Sequence, residues 1–296
     1  MKTETKNQRT RSLLLLITAM FIYGTIGIFR RYISLSSGVL AFARGIIGSA
    51  FLLLTAKLQK QPLEFSSAGK KLLLLILSGA LIGFNWMTLF EAYRYTSVAT
   101  ATLCYYMAPV FIILASPILF KEKLTGRKML CALIALIGVV FVSGVPNSGL
   151  PKAGEMKGIL FGLIAAVLYA SVVMMNKRIT GVEIYTKTIL QLFSASVILL
   201  PYLLLTEDFS AITFTTPSVI MLIVIGIVHT GIAYAFYFSS VEHLNAQTVA
   251  LLSYVDPITA VILSAVILHE PMTLSGIVGT VLILGSTVFS ELNRKN

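Results

Sequence analysis

The chain is 296 residues long, 57% hydrophobic and only 12% charged, with a mean hydropathy of +0.90. That balance excludes an ordinary soluble domain, in which about a quarter of residues are charged. The formal net charge of +11 would suggest nucleic acid in a soluble protein, but here the placement of the charges decides.

Ten apolar stretches follow one another, at residues 12–29, 39–56, 72–90, 97–120, 129–145, 158–175, 188–206, 217–241, 248–268 and 272–289. Each approaches the ~20 residues that an α-helix needs to cross a ~30 Å hydrocarbon core. The gaps between them, 146–157 and 207–216 included, are too short for a soluble catalytic or nucleotide-binding module. Lys2, Lys6, Arg9 and Arg11 ahead of an apolar run resemble a signal peptide. No A-x-A-type cleavage site follows, and further spans do, so this segment reads as a retained first helix. With the N-terminus cytoplasmic, cytoplasmic segments carry seventeen Lys/Arg and outside segments five, with Arg44 inside span two. The positive-inside rule then puts both termini in the cytoplasm, with Arg30 and Arg31 as the local exception. The basic excess reflects topology and gives no nucleic-acid footprint.

Sliding the sequence by 148 residues superposes Tyr106 on Tyr254, Pro109 on Pro257, Glu122 on Glu270 and Thr125 on Thr273. Offsets of 146 and 147 pair Tyr23 with Tyr169 and Arg44 with Gln191. The expected fold is therefore all-α: ten transmembrane helices as two five-helix repeats, residues 1–148 and 149–296. An odd number of spans per repeat inverts one half relative to the other, and the substrate site then lies near the midplane between them.

The segments CYYMAPVFIILASPILFKEKLTGRKMLCALIALIGVVFVSG and SYVDPITAVILSAVILHEPMTLSGIVGTVLILG resemble the two EamA repeats of the drug/metabolite transporter superfamily. The resemblance covers nearly the whole chain. It implies ten helices, cytoplasmic termini, a central cavity, alternating access and the transport of amino acids, other metabolites or drugs, often outward. Tyr23–Gly24 stands where the family often has Trp–Gly.

Asp256 is the sharpest single signal. It sits about two residues from the middle of its span, roughly 3 Å from the midplane at ~1.5 Å rise per residue. An ionised carboxylate there costs about 2.5–3.5 kcal/mol on insertion scales, and such groups usually face a cavity or a partner. Pro257 follows directly and frees carbonyls one turn back. The acid could bind a proton, a cation or a substrate amine, or it could serve the proline break and a nearby tyrosine.

Arg44 offers a bidentate fork to a substrate carboxylate, or snorkels to the interface; Gln191 is its uncharged counterpart. His229 could shuttle protons or pack as a neutral ring. Asn85 and Trp86 are expected in the cavity, with Glu91 at its mouth beside Arg94. Tyr23, Tyr169 and Tyr237, with Trp86, could hold an organic cation by cation–π attraction, or simply pack. Tyr106 and Tyr254, each three residues before a kink proline, are better placed. Glu122, Glu270, Thr125 and Thr273 read as turn and capping elements. Gly24, Gly27, Gly45, Gly48, Gly79 and Gly83 should permit close helix contact. Cys104 and Cys131 form no C-x-x-C, so neither a disulfide framework nor a metal site is indicated.

The expectation is a secondary carrier in the cell membrane, moving an amino-acid-like metabolite outward, without cofactor and with proton coupling open. Carriage of organic cations (drugs or quaternary amines) and passive facilitation are the alternatives. ATP drive lacks a Walker A motif, a channel lacks repeated charge rings, and an enzyme lacks a convergent catalytic cluster.

Overall fold

A computed structural model describes residues 2–120, 125–148, 150–210, 212–241, 243–244, 248–249 and 252–292. Glu122, an expected turn element, lies outside the described residues, as do Lys121, Lys123, Arg294 and Lys295 of the charge count. Among the described residues every regular element is helical.

In the first half, α1 is Lys2–Arg31, α2 Ser37–Leu58 and α3 Leu72–Tyr95, the last entered through a 3-10 turn at Phe65–Lys71. The expected fourth span divides into α4 (Val98–Tyr105) and α5 (Ala108–Phe120). It is followed by α6 (Gly126–Val142) and a single turn, α7 (Val145–Ser148). The second half holds α8 (Ala153–Arg178), α9 (Ile184–Thr206) and α10 (Thr216–Val224). α10 runs through a π-helical segment, Ile225–Ile232, into α11 (Ala233–Val241), and α12 (Val255–Ile267) and α13 (Leu274–Leu292) complete it.

Local chemistry sets these starts. The Ser36, Ser97 and Thr125 hydroxyls accept from the backbone N–H groups of Val39, Thr100 and Lys128, at 3.2, 2.9 and 3.4 Å. Thr273 accepts from Gly276 N–H at 3.1 Å, so both repeated threonines cap the helix that follows them, as expected. A side-chain oxygen there satisfies one of the orphan N–H groups of a first turn.

Among the described residues, seven helical stretches are long and apolar enough to cross a membrane, and Val255–Ile267 and Leu274–Phe289 are shorter apolar helices. Ten were expected. The expected spans 129–145 and 248–268 appear as helices of 17 and 13 residues. The second is short because the helix turns at Ser253–Tyr254: Pro257 has no N–H to offer the Ser253 carbonyl four residues back, and its ring crowds that carbonyl.

Polarity runs inside out. Ile118 and Leu205 are 84% and 87% exposed, whereas Arg44 and His229 are 5% and 1% exposed. A soluble protein does not cover itself in large apolar side chains around a polar interior. Lipid does not penalise such a surface, and this is a multi-pass helical membrane protein. Its helices touch through small residues: a Cβ on any of Gly24, Gly27, Gly45, Gly48, Gly79 or Gly83 would lie within 2.7 Å of an atom on a neighbouring helix.

The packing order positions the site. α1 packs on α11 and α12, α8 on α3 and on α4–α5, α2 on the π-helical segment and α3 on α9. α2 also meets α9, and α6 meets α13.

Candidate functional site

The interior polar groups fall into two adjoining sets. The first centres on Arg44, one helical face in from the α2 N-terminus. Its guanidinium carbon stands 4.1 Å from the Trp86 ring centroid and 5.8 Å from that of Phe90, both on α3. Its Nε donates to the Thr230 hydroxyl at 2.7 Å. Among the described residues the two terminal nitrogens find no acceptor and no carboxylate pairs with the group. Thr230 is held by the π-helical segment, where its hydroxyl also donates to the Ile225 carbonyl five residues back, at 3.2 Å. A π-turn widens the helix and re-aims its side chains, which is why such segments occur at functional positions. Tyr23 of α1 meets Tyr234 edge to face at 5.8 Å, and both lie within electrostatic reach of Arg44.

The second set centres on Asp256. The Tyr106 hydroxyl donates to Asp256 Oδ2 at 2.6 Å, across the break between α4 and α5. At that break Tyr106 N–H bonds the Thr102 carbonyl and Met107 N–H the Cys104 carbonyl, after which Pro109 sits in the first turn of α5. Asp256 is half-buried and forms no ion pair with any described residue. Tyr105 packs against Tyr106 at 5.9 Å and Tyr169 at 5.4 Å. Tyr93 and Tyr105 are within electrostatic reach of both Asp256 and Arg44. A guanidinium and a carboxylate thus act on common tyrosines and form no ion pair with each other. Close approach fixes Asp256: a Cβ on Gly24 would fall 2.5 Å from the Asp256 carbonyl oxygen and 2.6 Å from the Thr259 Cβ.

The remaining candidates sit elsewhere. Asn85 donates to the Ala165 carbonyl at 2.6 Å, tying α3 to α8. Gln191 donates to Ser78 Oγ at 2.6 Å and Asn176 Oδ1 at 2.8 Å, which ties α9 to α3 and α8. His229 Nε2 is 2.8 Å from the Thr25 hydroxyl, and its ring stands edge-on to Phe29 at 4.8 Å. Thr25 also donates to the Ile22 carbonyl at 2.7 Å, so its oxygen can accept from Nε2–H, while Nδ1 faces the Val224 carbonyl at 3.5 Å. Tyr254 packs among Leu103, Met107 and Val261. Tyr237 stacks edge-on to Phe238 at 5.6 Å, beside the cluster that holds Leu16 and Met20. Glu91 pairs with Arg94 at 3.1 Å and lines a cavity, as its place at a helix exit suggested. Thr230, Thr25 and Tyr93 were not singled out from the sequence. A threonine or tyrosine in an apolar span carries no pattern that names its partner.

An inside-out bundle of apolar helices around an unpaired guanidinium and carboxylate defines a polytopic membrane protein of the transporter class. The EamA-like transporter family model matches residues 10–144 and again 156–291, so the chain belongs to that family, within the drug/metabolite transporter superfamily. It is 27% identical over 289 residues to uncharacterized transporter YxxF of Bacillus subtilis, covering 97% of this chain and 92% of that protein. It is also 27% identical over 222 residues to Protein PecM of Dickeya dadantii, covering 74% and 73%. A solved crystal structure matches with a TM-score of 0.68 at 21% identity, over 96% of this chain and 97% of that one, and shares the fold.

Proposed function

We propose that this transporter is a secondary carrier that moves an amino-acid-like zwitterion outward across the cell membrane by alternating access. The observation that carries the reading is the pair of unmatched charges: the free terminal nitrogens of Arg44 and the free oxygen of Asp256, with Tyr93 and Tyr105 within electrostatic reach of both. Isolated buried charges are expensive, so a chain that keeps two without pairing them gains when a ligand does so. A solute carboxylate would take the Arg44 fork, an ammonium would take Asp256, and an apolar side chain would lie on Trp86 or the tyrosines. The free Asp256 oxygen is also the natural place for a coupling proton in the empty carrier.

We read the architecture as ten spans in two inverted halves, with residues 1–148 and 149–296 as the repeats and both termini cytoplasmic. Reciprocal packing supports this. If α8 corresponds to α1, then α1 on α12 mirrors α8 on α4–α5, and α1 on α11 mirrors α8 on α3. Likewise α2 on the π-helical segment mirrors α9 on α3, and α2 with α9 and α6 with α13 are self-paired. The seventeen-to-five distribution of Lys/Arg supports the orientation.

Carriage of organic cations is the second reading, favoured by the tyrosines Tyr105, Tyr106 and Tyr169 around Asp256. Three-way ligand sets separate the two: an amino acid, its amine without the carboxylate, and its acid without the amine, built on phenylalanine, leucine and threonine. Ligands that bind the folded state raise its melting temperature. The amino acid of at least one set should stabilise the purified protein more than either fragment. Arg44→Gln should erase its advantage over the amine, and Asp256→Asn its advantage over the acid. Amines that stabilise as well as the amino acids, with Arg44→Gln without effect, would give the site to organic cations.

A further inference from the structure

At the end of the bundle formed by the α1, α3 and α9 C-termini and the α2 N-terminus, two cavities adjoin. The larger, of about 460 Å³, is lined by Arg30, Arg31, Arg94, Ser34, Ser36 and Tyr93, and no carboxylate lines it. The smaller, of about 260 Å³, shares Ser36 and Arg94 with it and is lined also by Glu91, Glu207, Met87 and Phe161. One lobe is cationic and the other holds two carboxylates.

The partners within each lobe are unequal. Arg31 is matched by Glu270 at 2.8 Å and Arg94 by Glu91 at 3.1 Å. Arg30 is 5% exposed and has no ion pair; its terminal nitrogens donate to the Ile33 carbonyl at 2.7 Å and the Ser37 hydroxyl at 3.3 Å. Its Nε is the one buried side-chain nitrogen or oxygen among the described residues that lacks a partner. Ser37 passes its own proton to Glu91 Oε2 at 2.7 Å, so the nearest acid reaches the serine and not the guanidinium. In the other lobe Glu207 accepts the Ser36 hydroxyl at 2.6 Å and, among the described residues, pairs with no cation. An unmatched guanidinium and an unmatched carboxylate therefore stand on either side of Ser36. Arg30 and Arg31 are also the basic pair that breaks the positive-inside pattern. Such residues at an outer end cost topological bias, which fits a cost accepted for binding.

We propose that these joined cavities are a second zwitterion site at the outer mouth, with Arg30 recognising the carboxylate and Glu207 the ammonium of an amino-acid-like solute leaving the central site. Met87 and Phe161 offer the solute's side chain an apolar wall. The identity of the ligand rests on the zwitterion reading of the central site; the existence of the outer site does not.

Equilibrium binding of radiolabelled phenylalanine to purified protein tests this, with phenethylamine and 3-phenylpropionate as competitors. Two sites per chain are expected. Glu207→Gln should weaken one site about tenfold or more for the amino acid and the amine but not for the acid, as expected for a lost charge-assisted bond. Arg30→Lys keeps the charge but loses the fork, and should weaken the same site for the amino acid and the acid. Asp256→Asn should weaken only the other site. A single site per chain, unchanged in folded Glu207→Gln and Arg30→Lys proteins, would overturn the outer site. Two sites of which neither responds to Asp256→Asn would instead overturn the central reading and leave the outer one standing.

Discussion

Arg44 spends its hydrogen-bonding capacity sparingly: one nitrogen on Thr230 and the flat face on Trp86, with two nitrogens held in reserve. The Thr230 contact fixes the plane of the fork, which a bidentate carboxylate needs. Thr230→Val keeps the shape and removes the acceptor, leaving Nε buried without a partner. It should destabilise the protein by about 1–3 kcal/mol, read as a lower melting temperature in detergent, and should weaken ligands that carry a carboxylate more than amines. Equal weakening of both would make Thr230 a packing residue only. This partnership was invisible in the sequence, because Thr230 lies 186 residues from Arg44 and nothing distinguishes it from other intramembrane threonines. Asp256 was legible, since a carboxylate in an apolar run is costly wherever it falls. Gln191, which the sequence offset pairs with Arg44, uses its amide to join α9 to α3 and α8, a partnership that the offset did not signal.

Helix ends and interruptions do the positioning. The breaks at Tyr106–Met107 and Ser253–Tyr254 each precede a proline, and the first points a phenol at Asp256. The Tyr-x-x-Pro pattern made these breaks readable, whereas nothing in Ile-Gly-Ile-Val-His-Thr-Gly-Ile marked a π-helical segment in advance. Glu270 is another end device. It pairs with Arg31 of α1 at 2.8 Å, accepts the Val98 N–H that opens α4 at 2.9 Å, and accepts the Ser264 hydroxyl of α12. Glu270→Ala should release three helices at one end and cost about 1–3 kcal/mol from the unsatisfied groups. Faster hydrogen exchange at 96–99 would be its signature; unchanged exchange there would show the three contacts to be incidental. Gly24→Ala acts between elements. Its methyl group would meet the Asp256 carbonyl and Thr259, and overpacking of that kind costs about 1–3 kcal/mol. Stability should fall, and zwitterion binding should fall with it because Asp256 moves. A variant with wild-type stability and binding would mean that α1 and α12 slide apart freely.

At the scale of the whole molecule, hydropathy made the class readable and the number of crossings harder to read. The seven long helices needed only composition and length, while 129–145 and 272–289 form shorter or less apolar helices and 248–268 is interrupted at Ser253–Tyr254, a break that a hydropathy window averages away. The proposed ten inverted spans would place the exposed Leu150 outside. Leu150→Cys should react with a membrane-impermeant thiol reagent added to intact cells, since Cys104 and Cys131 are buried. Reaction only after the cytoplasmic face is opened would invalidate the inverted arrangement. The central claim is that Arg44 and Asp256 hold opposite ends of a travelling zwitterion. Its most direct test is counterflow of a labelled amino-acid mixture into liposomes preloaded with the same mixture, comparing wild type with Asp256→Asn and Arg44→Gln. Wild-type liposomes should accumulate at least one amino acid transiently, and each folded variant should lose most of that flux. Undiminished counterflow in both variants, or none of any amino acid in the wild type, would contradict the claim.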